Sequence, residues 1–310
     1  MDGVINILKP PGMTSHDVVF FVRRVTGVKK CGHTGTLDPG ASGVLPVCVG
    51  KATRLARFVT DGDKTYRAEI TLGIETSSQD AFGNVISRID ASAIKLDDFS
   101  SELRKFQGEI KQTPPMASAI KVKGKKLYEL EREGIIVDVP TRTVTIYQVN
   151  IVDSWDWGTP NPRVLFDVAC SKGTYVRTLC SDIGKELGCG AYMSFLLRSR
   201  VAAFGLHNAY TLEEIAALAD KSQLESAVIP MAKAVQHLPI VEIHPSAQKS
   251  VCSGATLYPA GVRVGLEYLK PEGLVQVQLN HELLGIYKPV LDVNDFGERI
   301  ILRPEVVFAS

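Results

Sequence analysis

The 310-residue chain carries 35 Lys and Arg against 34 Asp and Glu, a formal net charge of +1, and is 45% hydrophobic and 22% charged. That length can bury a sizeable core in one large domain or two, and that composition excludes a disordered tail, a collagen repeat and a disulfide scaffold. The balanced total argues at first sight against a nucleic-acid partner, but it hides a distribution: residues 1–130 carry +5, residues 131–240 −2 and residues 241–310 −2. A basic stripe on a balanced body suits a phosphate backbone, although an ordinary solvated surface fits the charge equally well.

Residues 3–8 read as a short apolar strand ended by the Pro10-Pro11-Gly12 turn. Thr14 to Asp17 offer N-caps for a helix with apolar positions at 18, 19, 21, 22 and 25, and Gly27 supplies its stop. The run from Gly32 to Gly43 is so dense in turn formers that it reads as a shaped loop. Residues 64–74 alternate as a strand, and 75–84 are polar and turn-rich. A helix is expected at 96–106, and an extended segment at 112–116, where two prolines forbid helix. A basic flexible stretch follows at 121–126, then a helix at 127–132. Strands are expected at 141–152 and 164–170, and helices at 175–187 and 212–218. From about residue 240 the chain turns into short β-type runs split by Gly and Pro, which suggests a small all-β module.

The longest apolar runs, such as residues 18–22, fall far short of the roughly 18 residues a membrane helix needs. The N-terminus lacks the basic and apolar regions of a signal peptide, so a cytoplasmic location is expected. The six cysteines are scattered without a C-x-x-C pair, which makes zinc unexpected. Neither a Walker loop nor G-x-G-x-x-G occurs, so no nucleotide cofactor is expected.

One loop carries candidate chemistry. In 32–46, GHTGTLDPGASGVLP, a single carboxylate, Asp38, sits among glycines and hydroxyls just before Pro39. Proline pushes Asp38 toward extended backbone, and the glycines allow a bulky partner to approach. From the residues alone Asp38 is either a turn former or a reactive group, and His33 either a satisfied histidine or a functional one.

GHTGTLDP followed by SGVLPV resembles the catalytic motif of the bacterial tRNA pseudouridine-55 synthases, the TruB family. The opening NILKPPGMTSHD of residues 6–17, the K-x-Y strand at Lys64–Tyr66 and GTYVRTL at 173–179 resemble that family's other motifs, in order across about 200 residues. Tyr192 stands where the family resemblance leads one to expect His.

The resemblance implies an α+β pseudouridine synthase fold, with a mixed, largely antiparallel sheet flanked by helices, over residues 1–238. It implies an RNA-clasping thumb inserted at about 112–140 and a PUA-like RNA-binding domain at 239–310. It implies conversion of the T-loop uridine of tRNA to pseudouridine by base flipping, with no cofactor and no metal. Asp38 would be the essential carboxylate, Arg177 its partner and Tyr66 the aromatic packed on the base. His33 would prop the space the base leaves, and Lys9, Pro10 and Leu196 would line the pocket. Lys121, Lys123, Lys125 and Lys126 would hold the RNA backbone. The expected partner is the T-arm, with a monomer and no obligate protein partner. A catalytic subunit of a guide-RNA-directed particle and a protein acting mainly as an RNA-folding chaperone are the alternatives.

Overall fold

The computed structural model describes residues 1–116, 118, 120–122, 124–135, 137–271, 273–294 and 297–308. The chain opens with β1 (Gly3–Lys9), and α1 (Ser15–Thr26) follows. Thr14 caps α1 through a reciprocal bond with Asp17, and Gly27, left-handed at φ 67°, ends it. Next come β2 (Cys31–His33), β3 (Ser42–Val49), α2 (Ala56–Thr60) and β4 (Lys64–Leu72). A small hairpin, β5 (Ile74–Thr76) and β6 (Val85–Arg88), precedes α3 (Leu96–Lys105) and β7 (Gly108–Gln112).

The basic stretch differs from expectation. Lys121–Val122 (β8) and Lys125–Lys126 (β9) pair as a hairpin, turning at Gly124 with φ 87°, a conformation glycine adopts without strain. After it, α4 (Leu127–Arg132) leads to β10 (Arg142–Trp155) and β11 (Arg163–Cys170). Leu127, Leu130 and Val139 bury against Met116, Ile120 and Val137, so the insertion has a small core of its own. Then come α5 (Val176–Glu186), β12 (Ala191–Val201), β13 (Phe204–Gly205), α6 (Leu212–Asp220) and β14 (Val228–Ile229).

Among the described residues ten of these strands form one sheet, with β3, β12, β4, β11 and β10 adjacent in that order, while β5–β6 and β8–β9 stand apart as two-stranded sheets. All these pairings are antiparallel except β12 with β3. β4 alternates faces, and Tyr66, Ala68 and Ile70 point into a core with Leu37, Phe166, Leu179 and Leu196. The parallel pairing of β12 with β3 places Arg198 beside Gly43. A Cβ on Gly43 would meet the Arg198 carbonyl oxygen at 2.2 Å, and its φ is 120°, so only glycine lets the two strands approach.

The C-terminal strands β15 (Ile240–Ile243), β16 (Val262–Val264), β17 (Val275–Leu279), β18 (Glu282–Asn294) and β19 (Gly297–Val307) form a second, five-stranded sheet. The runs expected there are short, but β18 and β19 are long and share one hairpin. Leu283, Ile286, Val306 and Phe308 bury against Val4, Val44, Leu55 and Phe58, which docks this sheet on the first. No helix among the described residues is long and apolar enough to cross a membrane.

Candidate active site

The loop between β2 and β3 is held from several sides. Ser15 of α1 accepts the Leu37 N–H at 2.8 Å and donates to the Leu37 carbonyl at 3.1 Å. The Gly12 N–H reaches the Pro39 carbonyl at 2.8 Å. Lys9 is fully buried, and its ammonium donates to the carbonyls of Pro10, Met13 and Pro39. It is therefore an internal strut between the Pro-Pro-Gly turn and the loop, and its charge is turned toward protein carbonyls. Burial pulls its pKa down to about 8. Pro10 is half-buried in the same turn.

Arg198 closes the other side, and sequence reading missed it. Its Nε donates to the Val44 carbonyl at 2.9 Å, Nη1 to that of Thr36 at 3.3 Å and Nη2 to that of Gly35 at 3.1 Å. It lies opposite Tyr66 across the β4–β12 ladder, with its charge near the Tyr66 side chain. One buried cation thus ties the loop, two strands and the site's aromatic together. A lone arginine in a strand carries no sequence signal. Its place on the face of Leu196 follows from the pairing of β12, which the sequence does not mark. Arg198→Met is expected to lower the unfolding free energy by about 3–5 kcal/mol, because a buried hydrogen-bonded charge is lost and its acceptors are left bare. Urea unfolding of the variant checks this.

Arg177 projects from the first turn of α5. Its Nε lies 3.1 Å from Asp38 Oδ2, and Nη2 donates to Asp38 Oδ1 at 3.4 Å. Nη1 reaches Asp80 Oδ2 at 3.4 Å and the Ser78 carbonyl at 3.3 Å. The guanidinium is 5% exposed, against 35% for the Asp38 side chain and 12% for Asp80, so the pair opens to solvent only on the Asp38 side. The start of α5 is fixed in turn by Gln112, which donates to the Tyr175 carbonyl and accepts the Tyr175 N–H. Asp80 was also missed: it sits 97 residues from Arg177 in a segment that reads only as turn-rich.

Burial pushes the Asp38 carboxyl above the ordinary carboxylate range. Arg177 pulls it back, and Asp80 adds to the rise. Desolvation outweighs the arginine here. Burial likewise raises Tyr66, which is 8% exposed. His33 is half-buried, and its Nδ1 accepts the Gly35 N–H at 3.3 Å. Burial and the nearby Arg198 hold it below its usual value, hence neutral at pH 7.

Leu196 pairs with Ala68 and packs in the same core as Tyr66 and Leu37. Lys64, two residues before Tyr66, donates to the carbonyls of Thr60 and Gly62 and anchors the start of β4. The structure therefore brings Asp38, Tyr66, Arg177, His33, Lys9, Pro10 and Leu196 together around one loop. It does not gather the four lysines there. Lys125 is paired with Glu133 at 2.9 Å, while Lys123 and the side chains of Lys121 and Lys126 lie outside the described residues.

A carboxylate gripped by a buried arginine, beside a tyrosine in an apolar wall, can act on an uncharged group that enters from solvent. Two solved structures share the fold. One is an H/ACA RNP bound to a substrate RNA containing 2′-deoxyuridine, with TM-score 0.75 and 29% identity, covering 99% of this chain and 85% of that one. The other is a Cbf5-Nop10-Gar1 complex, with TM-score 0.75 and 31% identity, covering 98% and 84%. Residues 23–176 match the N-terminal domain of the TruB family pseudouridylate synthases, and residues 177–236 match the tRNA pseudouridylate synthase B C-terminal domain. A tRNA pseudouridine synthase B of Pelotomaculum thermopropionicum is 54% identical over 310 residues, all of this chain and 98% of that protein. One of Symbiobacterium thermophilum is 52% identical over 254 residues, 82% of each. The chain belongs to the TruB family of pseudouridylate synthases.

Proposed function

We propose that this enzyme converts the T-loop uridine at position 55 of tRNA to pseudouridine in the cytoplasm, working alone and as a monomer. The single observation that carries the reading is the Asp38–Arg177 pair at 3.1 Å, closed to solvent except on the Asp38 side, with Leu37 next to Asp38 in the same core as Tyr66. The tRNA substrate is supported by full-length similarity to proteins of that activity.

The reaction breaks the bond from uracil N1 to ribose C1′, turns the base and joins C5 to C1′; the C5 proton is released to solvent and N1 takes one up, so the product is an isomer of the substrate. Nothing is oxidised and no group is imported. A stacked uridine must first leave the loop, at an unstacking cost of a few kcal/mol. His33, neutral and at the edge of the loop, fills the vacated space. Tyr66 packs on the base as it turns, and its place opposite Arg198 in the ladder, against Leu37 and Leu196, holds its ring. Leu196 contributes to the apolar wall that retains the free base.

Asp38 has three possible roles: attack at C1′, attack at the base, or removal of a sugar proton. All require the ionised carboxylate, which Arg177 stabilises in an otherwise dry site. Residues 112–140 form the RNA-clasping thumb, and the unit at 239–310 is a PUA-like second contact for tRNA.

Similarity to the H/ACA RNP and the Cbf5-Nop10-Gar1 complex is at 29–31% identity, whereas similarity to a tRNA pseudouridine synthase B reaches 54% over the full chain, which favours the stand-alone reading. The test is to incubate the purified full chain with an unmodified tRNA transcript and map pseudouridine. Modification confined to the T-loop uridine is expected. No pseudouridine without a guide RNA, or pseudouridine elsewhere, contradicts the reading.

A further inference from the structure

Among the described residues, the most exposed large apolar side chain is Phe82, at 80%. It stands on the loop between β5 and β6, and the edge of its ring leans on Gly40, two residues past Asp38. A Cβ on Gly40 would lie 1.9 Å from Phe82 Cε2. The ring therefore borders the opening of the Asp38 site with its faces open to solvent.

The loop that carries Phe82 is built rigidly. Asp80 Oδ1 accepts the Phe82 N–H at 3.0 Å and the Ser78 hydroxyl at 2.5 Å, while Oδ2 of the same carboxylate faces Arg177. Thr76 donates to the Asp80 carbonyl at 2.7 Å, and the Met193 N–H of β12 reaches the Gln79 carbonyl at 3.0 Å. One aspartate thus positions both the arginine that grips Asp38 and the aromatic beside it. A preorganised ring gives up little conformational freedom on binding.

We propose that Phe82 is a stacking platform for an unpaired base of the substrate RNA, next to the uridine that enters the Asp38 site. This rests on the tRNA reading above. A flipped nucleotide leaves its neighbours partly unstacked, and an aromatic face accepts any base because every base has a π-face. An open ring at the rim, joined to the reactive loop, can compensate for part of the stacking that extrusion removes.

The test measures binding and single turnover of a T-arm hairpin by the full chain. Phe82→Ala and Phe82→Leu are each expected to weaken binding about tenfold, the scale of one lost base–aromatic stack. Most of the loss should fall on the half-saturating RNA concentration, not on the saturating rate. Phe82→Tyr and Phe82→Trp should keep wild-type affinity, and the added tryptophan's emission should be quenched by the hairpin. All four variants should unfold as the wild type does, since the side chain is exposed. If the wild type modifies the hairpin but Phe82→Ala binds as tightly, or Phe82→Leu keeps full affinity, stacking is overturned and the function stands. A wild type that leaves the hairpin uridine unmodified overturns both.

Discussion

Replacing Asp38 with Asn is expected to slow single-turnover isomerisation of a T-arm hairpin by at least about 10⁴-fold, as loss of a central catalytic group does elsewhere. Asparagine has nearly the same shape but can neither attack carbon as an anion nor accept a proton usefully. Affinity for the hairpin should survive, because the proposed RNA contacts lie on other side chains, such as Phe82. Stability should survive too, and the sign follows from burial. The folded-state pKa of Asp38 is raised, so its ionisation costs the fold stability as pH rises through that value. A neutral side chain removes that cost, and Arg177 keeps Asp80 and the Ser78 carbonyl. The thermal midpoint of Asp38→Asn at neutral pH should not fall below that of the wild type. An inactive variant that has also lost stability or binding would contradict this account.

Arg177→Met has the second largest effect. Removing the guanidinium takes away the charge that stabilises ionised Asp38 and leaves two carboxylates facing each other across a dry space. The expected loss is about 10²–10³-fold in the saturating rate, the scale set by losing one preorganised electrostatic partner. Hairpin affinity should change far less. Because Asp38 loses its cation, the acid limb of the rate profile should move to higher pH. Arg177→Lys should restore part of the rate, since it keeps the charge but loses the fork that reaches both aspartates. The variant should also be several kcal/mol less stable, because unpaired buried charges are costly, so rates must be read well below its unfolding midpoint. Equal losses in affinity and rate would assign Arg177 to RNA binding instead.

Parts of this molecule were legible before any coordinates. The Thr14–Asp17 cap, the Gly27 stop and the alternation that turns Tyr66 inward are local rules, and each holds in the fold. Asp38 was singled out by the resemblance of its loop, since the residues alone left it either a turn former or a reactive group. The central strands β3 and β12 were not. β3 is apolar along nearly its whole length and holds Pro46, so it shows no alternation. β12 has register shifts between Met193 and Phe195 and between Arg198 and Arg200, which break its period of two. Arg198 and Asp80 were illegible for another reason: the site groups they hold, the Asp38 loop and Arg177, lie 97 or more residues away, and only the assembled sheet brings them together. The charge count resolves in the same way. A total of +1 says little about RNA when the site needs one carboxylate and its matched arginine.

The central claim is that a half-buried, ionised Asp38 carries the chemistry. The pH dependence of the saturating single-turnover rate tests it most directly, with wild type and Asp38→Asn side by side on one hairpin. The wild-type rate should fall on acidification with a midpoint above the ordinary carboxylate value of about 4, while Asp38→Asn stays inactive at every pH. A wild-type rate that stays flat down to about pH 4, or an Asp38→Asn chain that forms pseudouridine at the wild-type rate, would contradict it.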